Sequence, residues 1–102
     1  MSYAKKRTSG FTVRMIRDLT VMTHPETWNT NILPLRRKNP KAPVGYDLGF
    51  LRRDEFMRKW ETVLIVYMTN IYTIRGTTDW TNVPQKQYAN VEMILKDGWE
   101  VD

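Results

Sequence analysis

The sequence predicts a small α+β domain, and three stretches carry that prediction. Arg52 to Gly76 joins a charged helix-like start to the only long uncharged apolar run, Thr62 to Ile74. Phe11 to Thr23 alternates apolar and polar residues at the period of a half-buried strand. Asn82 to Gly98 carries helix start and stop signals around an apolar face. At 102 residues the chain is long enough for one modest core and forms one domain, residues 11–102, behind a basic arm at 1–10.

In order, Met1 to Gly10 reads as a solvated arm, with Lys5, Lys6 and Arg7 in succession before a glycine. In the strand-like segment Phe11, Val13, Met15, Leu19 and Val21 fall on one face, although a helical face through Phe11, Met15, Leu19 and Met22 also exists. Thr23-His24-Pro25-Glu26 resembles a capping box with proline in the first turn, which predicts a short helix through Trp28 and Ile32 ending at Pro34. The segment 34–49 is the most loop-like of all. Pro34, Pro40 and Pro43 disfavour helix before them, and Arg36, Arg37, Lys38 and Lys41 favour an extended surface path.

The central segment predicts a long helix from Arg52 to about Thr73. Asp54 and Glu55 each stand four residues before a base, Arg58 and Lys59, the order that supports a helix surface. Phe56, Trp60, Val63, Tyr67, Ile71 and Ile74 then follow at steps of four and three along one face. The run is also rich in β-branched residues, so the alternative is a buried strand pair breaking near Thr69-Asn70. It falls short of the roughly 20 residues a bilayer span requires. For the last helix, Val83 to Asp97, Asn82 is the expected cap, Gln85 its capping-box partner and Gly98 the stop, with Trp99 folding back on Ile94.

Composition narrows function by exclusion. Without cysteine there is no disulfide framework or thiolate chemistry, and a single histidine rules out zinc patterns. His24 has no nucleophile or orienting group near it in sequence, and the two serines, Ser2 and Ser9, lie in the arm. No calcium loop or phosphate-binding glycine loop is present. Neither a catalytic residue, a metal ligand, a cofactor nor a small-molecule substrate is therefore expected. No apolar stretch of signal length follows the basic start, so an intracellular location or a place in a larger assembly such as a virion is expected.

Charge placement points to a partner. Residues 1–46 hold nine bases and two acids, a balance of +7, whereas residues 47–102 stand at −2. Lys5, Lys6 and Arg7, with Arg36, Arg37, Lys38 and Lys41, are the candidate contacts to an anionic surface. Aromatics beside loops, Trp28, Tyr46, Phe50 and Trp80, are the candidate hot spots. The expectation is a non-catalytic binding or assembly protein docking on a protein or nucleoprotein, in a setting such as a viral or phage accessory or inhibitor protein. The alternative is a sequence-nonspecific nucleic-acid binder using the same two basic patches. The C-terminal helix is a poor recognition helix, because Glu92 and Asp97 offset Lys86 and Lys96.

Overall fold

Helix α1, Val13–Met22, forms where alternation suggested a strand. Thr12 decides the matter, since its side-chain oxygen accepts the Met15 amide at 3.1 Å and caps the first turn. Met15, Leu19 and Met22 then face the core while Val13 stays exposed, which is the helical period of the segment and not its two-residue period. The structure is a computed structural model and describes residues 10–59, 63–70, 73–76 and 78–102. Lys5, Lys6 and Arg7 lie outside the described residues.

The helix expected from Pro25 is a single 3-10 turn, Pro25–Thr27. Trp28 leaves it in an extended conformation, and Ile32 opens a strand instead of sharing a helical face with Trp28. The expected loop at 34–49 is in fact an antiparallel hairpin. Strands β1, Ile32–Lys38, and β2, Tyr46–Arg52, pair over seven rungs from Ile32↔Arg52 to Lys38↔Tyr46. Pro34 is tolerated because its missing N–H lies one position beyond the last β1–β5 rung, Leu35↔Val101, where its carbonyl still accepts the Asp102 amide at 3.0 Å.

The long central helix is also corrected. Helix α2 is described over Arg53–Lys59, and Leu64–Tyr67 is not helical but strand β3. The strand alternative holds for this first part of the run, where β-branched Ile65 and Val66 sit well on a pleated surface. Asp54 and Glu55 meet Arg52, which bonds Asp54 at 3.1 Å and approaches Glu55 at 3.6 Å, while the side chain of Lys59, one of the two expected partners, lies outside the described residues. Trp60 and Ile71 of the expected helical face lie outside the described residues.

The C-terminal helix is split in two. Strand β4, Gln85–Tyr88, precedes helix α3, Val91–Lys96, whose first turn is capped by Asn90 accepting from Met93 at 2.9 Å. Asn82 belongs to a 3-10 turn, Trp80–Asn82, capped by Asp79. Gly98 does stop the helix, in the left-handed conformation at φ +95°, and Trp99 starts the last strand, β5, Trp99–Val101.

These strands make one five-stranded sheet in the order β4-β3-β2-β1-β5, with antiparallel pairing throughout. The fold is α+β, as the sequence predicts. One sheet face buries Leu33, Leu35, Leu51, Leu64, Val66 and Trp99 beneath α1 and α3, with Trp28 and Phe56 meeting edge-on at 5.7 Å alongside. On the opposite face Phe50 and Tyr67 stack at 5.5 Å under Trp80. The outer edge of β5 is closed by α1. Asp18 accepts the Val101 amide at 3.1 Å and Arg14 donates to the Val101 carbonyl, two side chains standing in for a sixth strand. Among the described residues no helix is long and apolar enough to cross a membrane.

Candidate functional site

The predicted basic loop is the far end of the β1–β2 hairpin, and strand geometry divides its charges. Successive residues of a strand point to opposite faces. Arg37 lies on the helix-covered face, where its guanidinium bonds Asp47 at 3.0 Å and Asp97 at 3.0 Å and lies 4.6 Å from the Trp99 ring centroid. Arg36 lies on the other face, 2.8 Å from Glu100, 3.8 Å from Asp102, and 4.7 Å above the Tyr46 ring. The bond to Glu100 raises the Arg36 pKa further. Both arginines are therefore part of the architecture, bridging β1 to β2, β5 and the α3–β5 turn.

Lys38 and Lys41 are placed differently. Both are exposed, and neither ammonium pairs with an acid among the described residues. Lys38 precedes, and Lys41 lies within, a loop, Asn39 to Gly45, that is bonded internally. The Asn39 amide donates to the Gly45 carbonyl at 2.9 Å, the Ala42 amide to the Asn39 carbonyl at 2.9 Å, and the Gly45 amide to the Ala42 carbonyl at 3.0 Å. The Asn39 side chain accepts the Lys41 amide at 3.1 Å and donates to Asp47 at 2.9 Å. Those bonds, first from Asn39 and then from Arg37, hold the Asp47 carboxyl below its ordinary range. Gly45 turns at φ +80°, and Pro40 and Pro43 fix two more backbone angles. At the tip Val44 is 69 % exposed.

The expected aromatic contacts separate as well. Trp28 is a core residue, 5 % exposed, with its indole N–H donating to the Val21 carbonyl at 2.8 Å. Its flanking turn was visible in the sequence, but its burial against Phe56 was not. Phe50 is fully buried. Trp80 is half-buried over Phe50 and Tyr67, with the Arg52 guanidinium 4.1 Å from its ring centroid. Tyr46 is half-buried beneath Arg36. Tyr46, Lys38 and Lys41 are the predicted site residues that the structure brings together at the hairpin end. Asn39, Val44 and the acids Asp97, Glu100 and Asp102 were missed; only Asn39-Pro40 carried a local signal, that of a turn.

Two other polar clusters are accounted for internally. Glu55, 8 % exposed, accepts from the Tyr67 hydroxyl at 2.8 Å beside Arg52, and the depression between Arg52, Glu55, Val63 and Ile65 has no room for a water molecule. Asp97 receives Arg37, Lys86 and the Tyr88 hydroxyl, which itself accepts the Trp99 indole N–H at 3.0 Å. Burial, followed by the bond to Asp97, pushes the Tyr88 pKa up to about 12. Among the described residues no group of three His, Cys, Asp or Glu side chains could hold a metal ion. No family model matches the chain, and comparison with curated proteins and with solved structures returns no match.

Proposed function

We propose that the protein is a non-catalytic binding protein that docks on the acidic surface of a protein or nucleoprotein partner. The observation that carries this reading is the uneven use of charge. Asp47, Asp97, Glu100 and Asp102 are spent on Arg36, Arg37 and Lys86, while Lys38 and Lys41 at the hairpin end, and Arg17 on α1, face solvent without an acid among the described residues. With a net charge of +5, such unpaired bases favour an anionic partner and hasten encounter with it.

The test is recovery of a complex at low salt from the native source, with the wild-type chain and the double charge reversal Lys38→Glu, Lys41→Glu. Wild type is expected to retain one protein at fixed stoichiometry, and the variant to lose it at least about tenfold. Recovery of both chains only as free monomers would overturn the proposal. The second reading, nonspecific nucleic-acid binding, is favoured by the same two lysines. It predicts binding to a mixed-sequence single strand whose log–log salt slope falls by about 1.4 in the double variant, two phosphate contacts at about 0.7 each. Reversing Arg36 or Arg37 would be uninformative, since either change breaks the fold's own ion pairs.

A further inference from the structure

We infer that the hairpin tip is a preformed plug, which inserts Val44 into an apolar socket rimmed by carboxylates on a partner protein; this rests on the docking reading above. Three observations converge on it. First, the tip projects. β5 pairs with β1 only as far as Arg37, and the β2–β3 rung lies at Phe50↔Tyr67, so Lys38↔Tyr46 and the loop beyond run past both neighbouring strands. Second, the tip is already ordered. Three backbone bonds, the two Asn39 side-chain bonds and two prolines fix it in the free protein, so little conformational freedom remains to be lost on docking.

Third, the tip's chemistry is that of a protein contact. Val44, 69 % exposed, stands out from the domain with Pro43 also exposed beside it, and the exposed Lys41 in the same loop and Lys38 at its start bring two cations to the hairpin end. A valine offers a nucleic acid neither a stacking face nor a hydrogen bond. Tyr46, at the last rung of the hairpin, already carries the Arg36 guanidinium over its ring. An apolar projection accompanied by two cations, unpaired among the described residues, is the complement of an apolar hollow edged by acids.

The experiment places the photo-crosslinker p-benzoylphenylalanine at Val44 in the full chain, and separately at Ile16 on the outer face of α1. Cross-linked peptides are sequenced, and the partner so identified is titrated with wild type, Val44→Asp and Pro43→Gly. The inference expects cross-links from Val44 to a protein segment with apolar residues flanked by Asp or Glu. It also expects a ten- to hundredfold loss of affinity for Val44→Asp and a two- to fivefold loss for Pro43→Gly, which loosens the tip without removing the valine. Cross-links from Ile16 alone, with the lysine reversals still weakening binding, would overturn the plug but leave the docking reading standing. Absence of protein cross-links at both positions, with nucleic acid bound instead, would overturn both.

Discussion

Replacing Gly49 with alanine probes the most crowded of the glycines, where β3 and the Trp99 ring of β5 close over β2. Gly49 is not in the left-handed region, so alanine meets no backbone penalty there. The cost is steric. An added Cβ would lie 2.8 Å from the Tyr67 carbonyl oxygen and 3.0 and 3.1 Å from Cη2 and Cζ3 of Trp99. Neither neighbour yields readily. The oxygen belongs to β3 at the rung joining it to β2, and Trp99 is 1 % exposed with its indole N–H held by Tyr88 at 3.0 Å. Overpacking of this kind costs about 1–3 kcal/mol. Displacing the indole from Tyr88 adds about 1–3 kcal/mol for a buried donor left unpaired. Reduced freedom of the unfolded chain returns roughly 0.4–1 kcal/mol. The net expectation is a loss of about 2–4 kcal/mol, or a fall in Tm of roughly 10–25 °C for a domain of this size. Urea unfolding followed by tryptophan fluorescence and far-ultraviolet circular dichroism measures it. The same substitution should cost less in a Trp99→Phe background, because a smaller ring clears part of the contact. A G49A midpoint within about 0.5 kcal/mol of wild type, or strict additivity with W99F, would show that the indole does not lie across Gly49.

Three further outcomes follow from the polar contacts. Asp18→Ala should cost about 1–3 kcal/mol and speed hydrogen exchange at the Val101 amide, whereas Asp18→Asn, which keeps an oxygen acceptor, should do less; unchanged exchange at Val101 in D18A would refute the edge clamp. The carboxyls of Asp97, held down first by Tyr88, and Asp47, held down first by Asn39, have folded pKa values below their unfolded ones. Their stabilisation is therefore present above about pH 4 and is lost as pH falls through the folded values, so the acid limb of stability should be shallower in D97N and D47N, and identical limbs would count against the network. Tyr88 has the opposite sign. With its pKa raised from 10.0 to about 12, it stabilises the fold fully below about pH 10 and progressively less toward pH 12. Burial also raises the Tyr67 pKa, so ultraviolet titration should show a late-ionising fraction of which part disappears in Tyr88→Phe, and simultaneous ionisation of all five tyrosines would refute the buried contact.

What the sequence revealed of the fold depended on whether the deciding contacts were local. The acids of the first turn of α2 and the glycine stop after α3 act within a few residues, and both were readable. Helix α1 was readable in principle, because Thr12 is an N-cap signal, but the alternation of Phe11, Val13 and Met15 competed with it. The hairpin was not readable. Its strands, ILPLRRK and YDLGFLR, contain a proline, a glycine and five charges, and their local pattern is that of a loop. They are strands because Trp99 covers Gly49 and because Glu100 and Asp97 reach Arg36 and Arg37 from about sixty positions away. Likewise, the uncharged run after Thr62 looked helical by spacing until Leu64–Tyr67 found edges on β2 and β4.

The same long-range pairing explains why the candidate site was only half legible. Read along the chain, Arg36, Arg37, Lys38 and Lys41 form one basic cluster. Folded, they divide by residue type. Each planar guanidinium spans two carboxylates and stacks on a ring, Arg36 on Tyr46 and Arg37 on Trp99, a geometry that an ammonium cannot reproduce. Arg52 repeats the pattern with Asp54, Glu55 and Trp80. The arginines thus fasten strands to one another, and the lysines at the hairpin end remain outside these networks. Replacing Arg36 or Arg37 with lysine should accordingly loosen the sheet although the charge is unchanged, while Lys38→Arg and Lys41→Arg should leave stability as it is. Stability measured on those four variants separates the cations that build the domain from those left to meet a partner, before any partner is in hand.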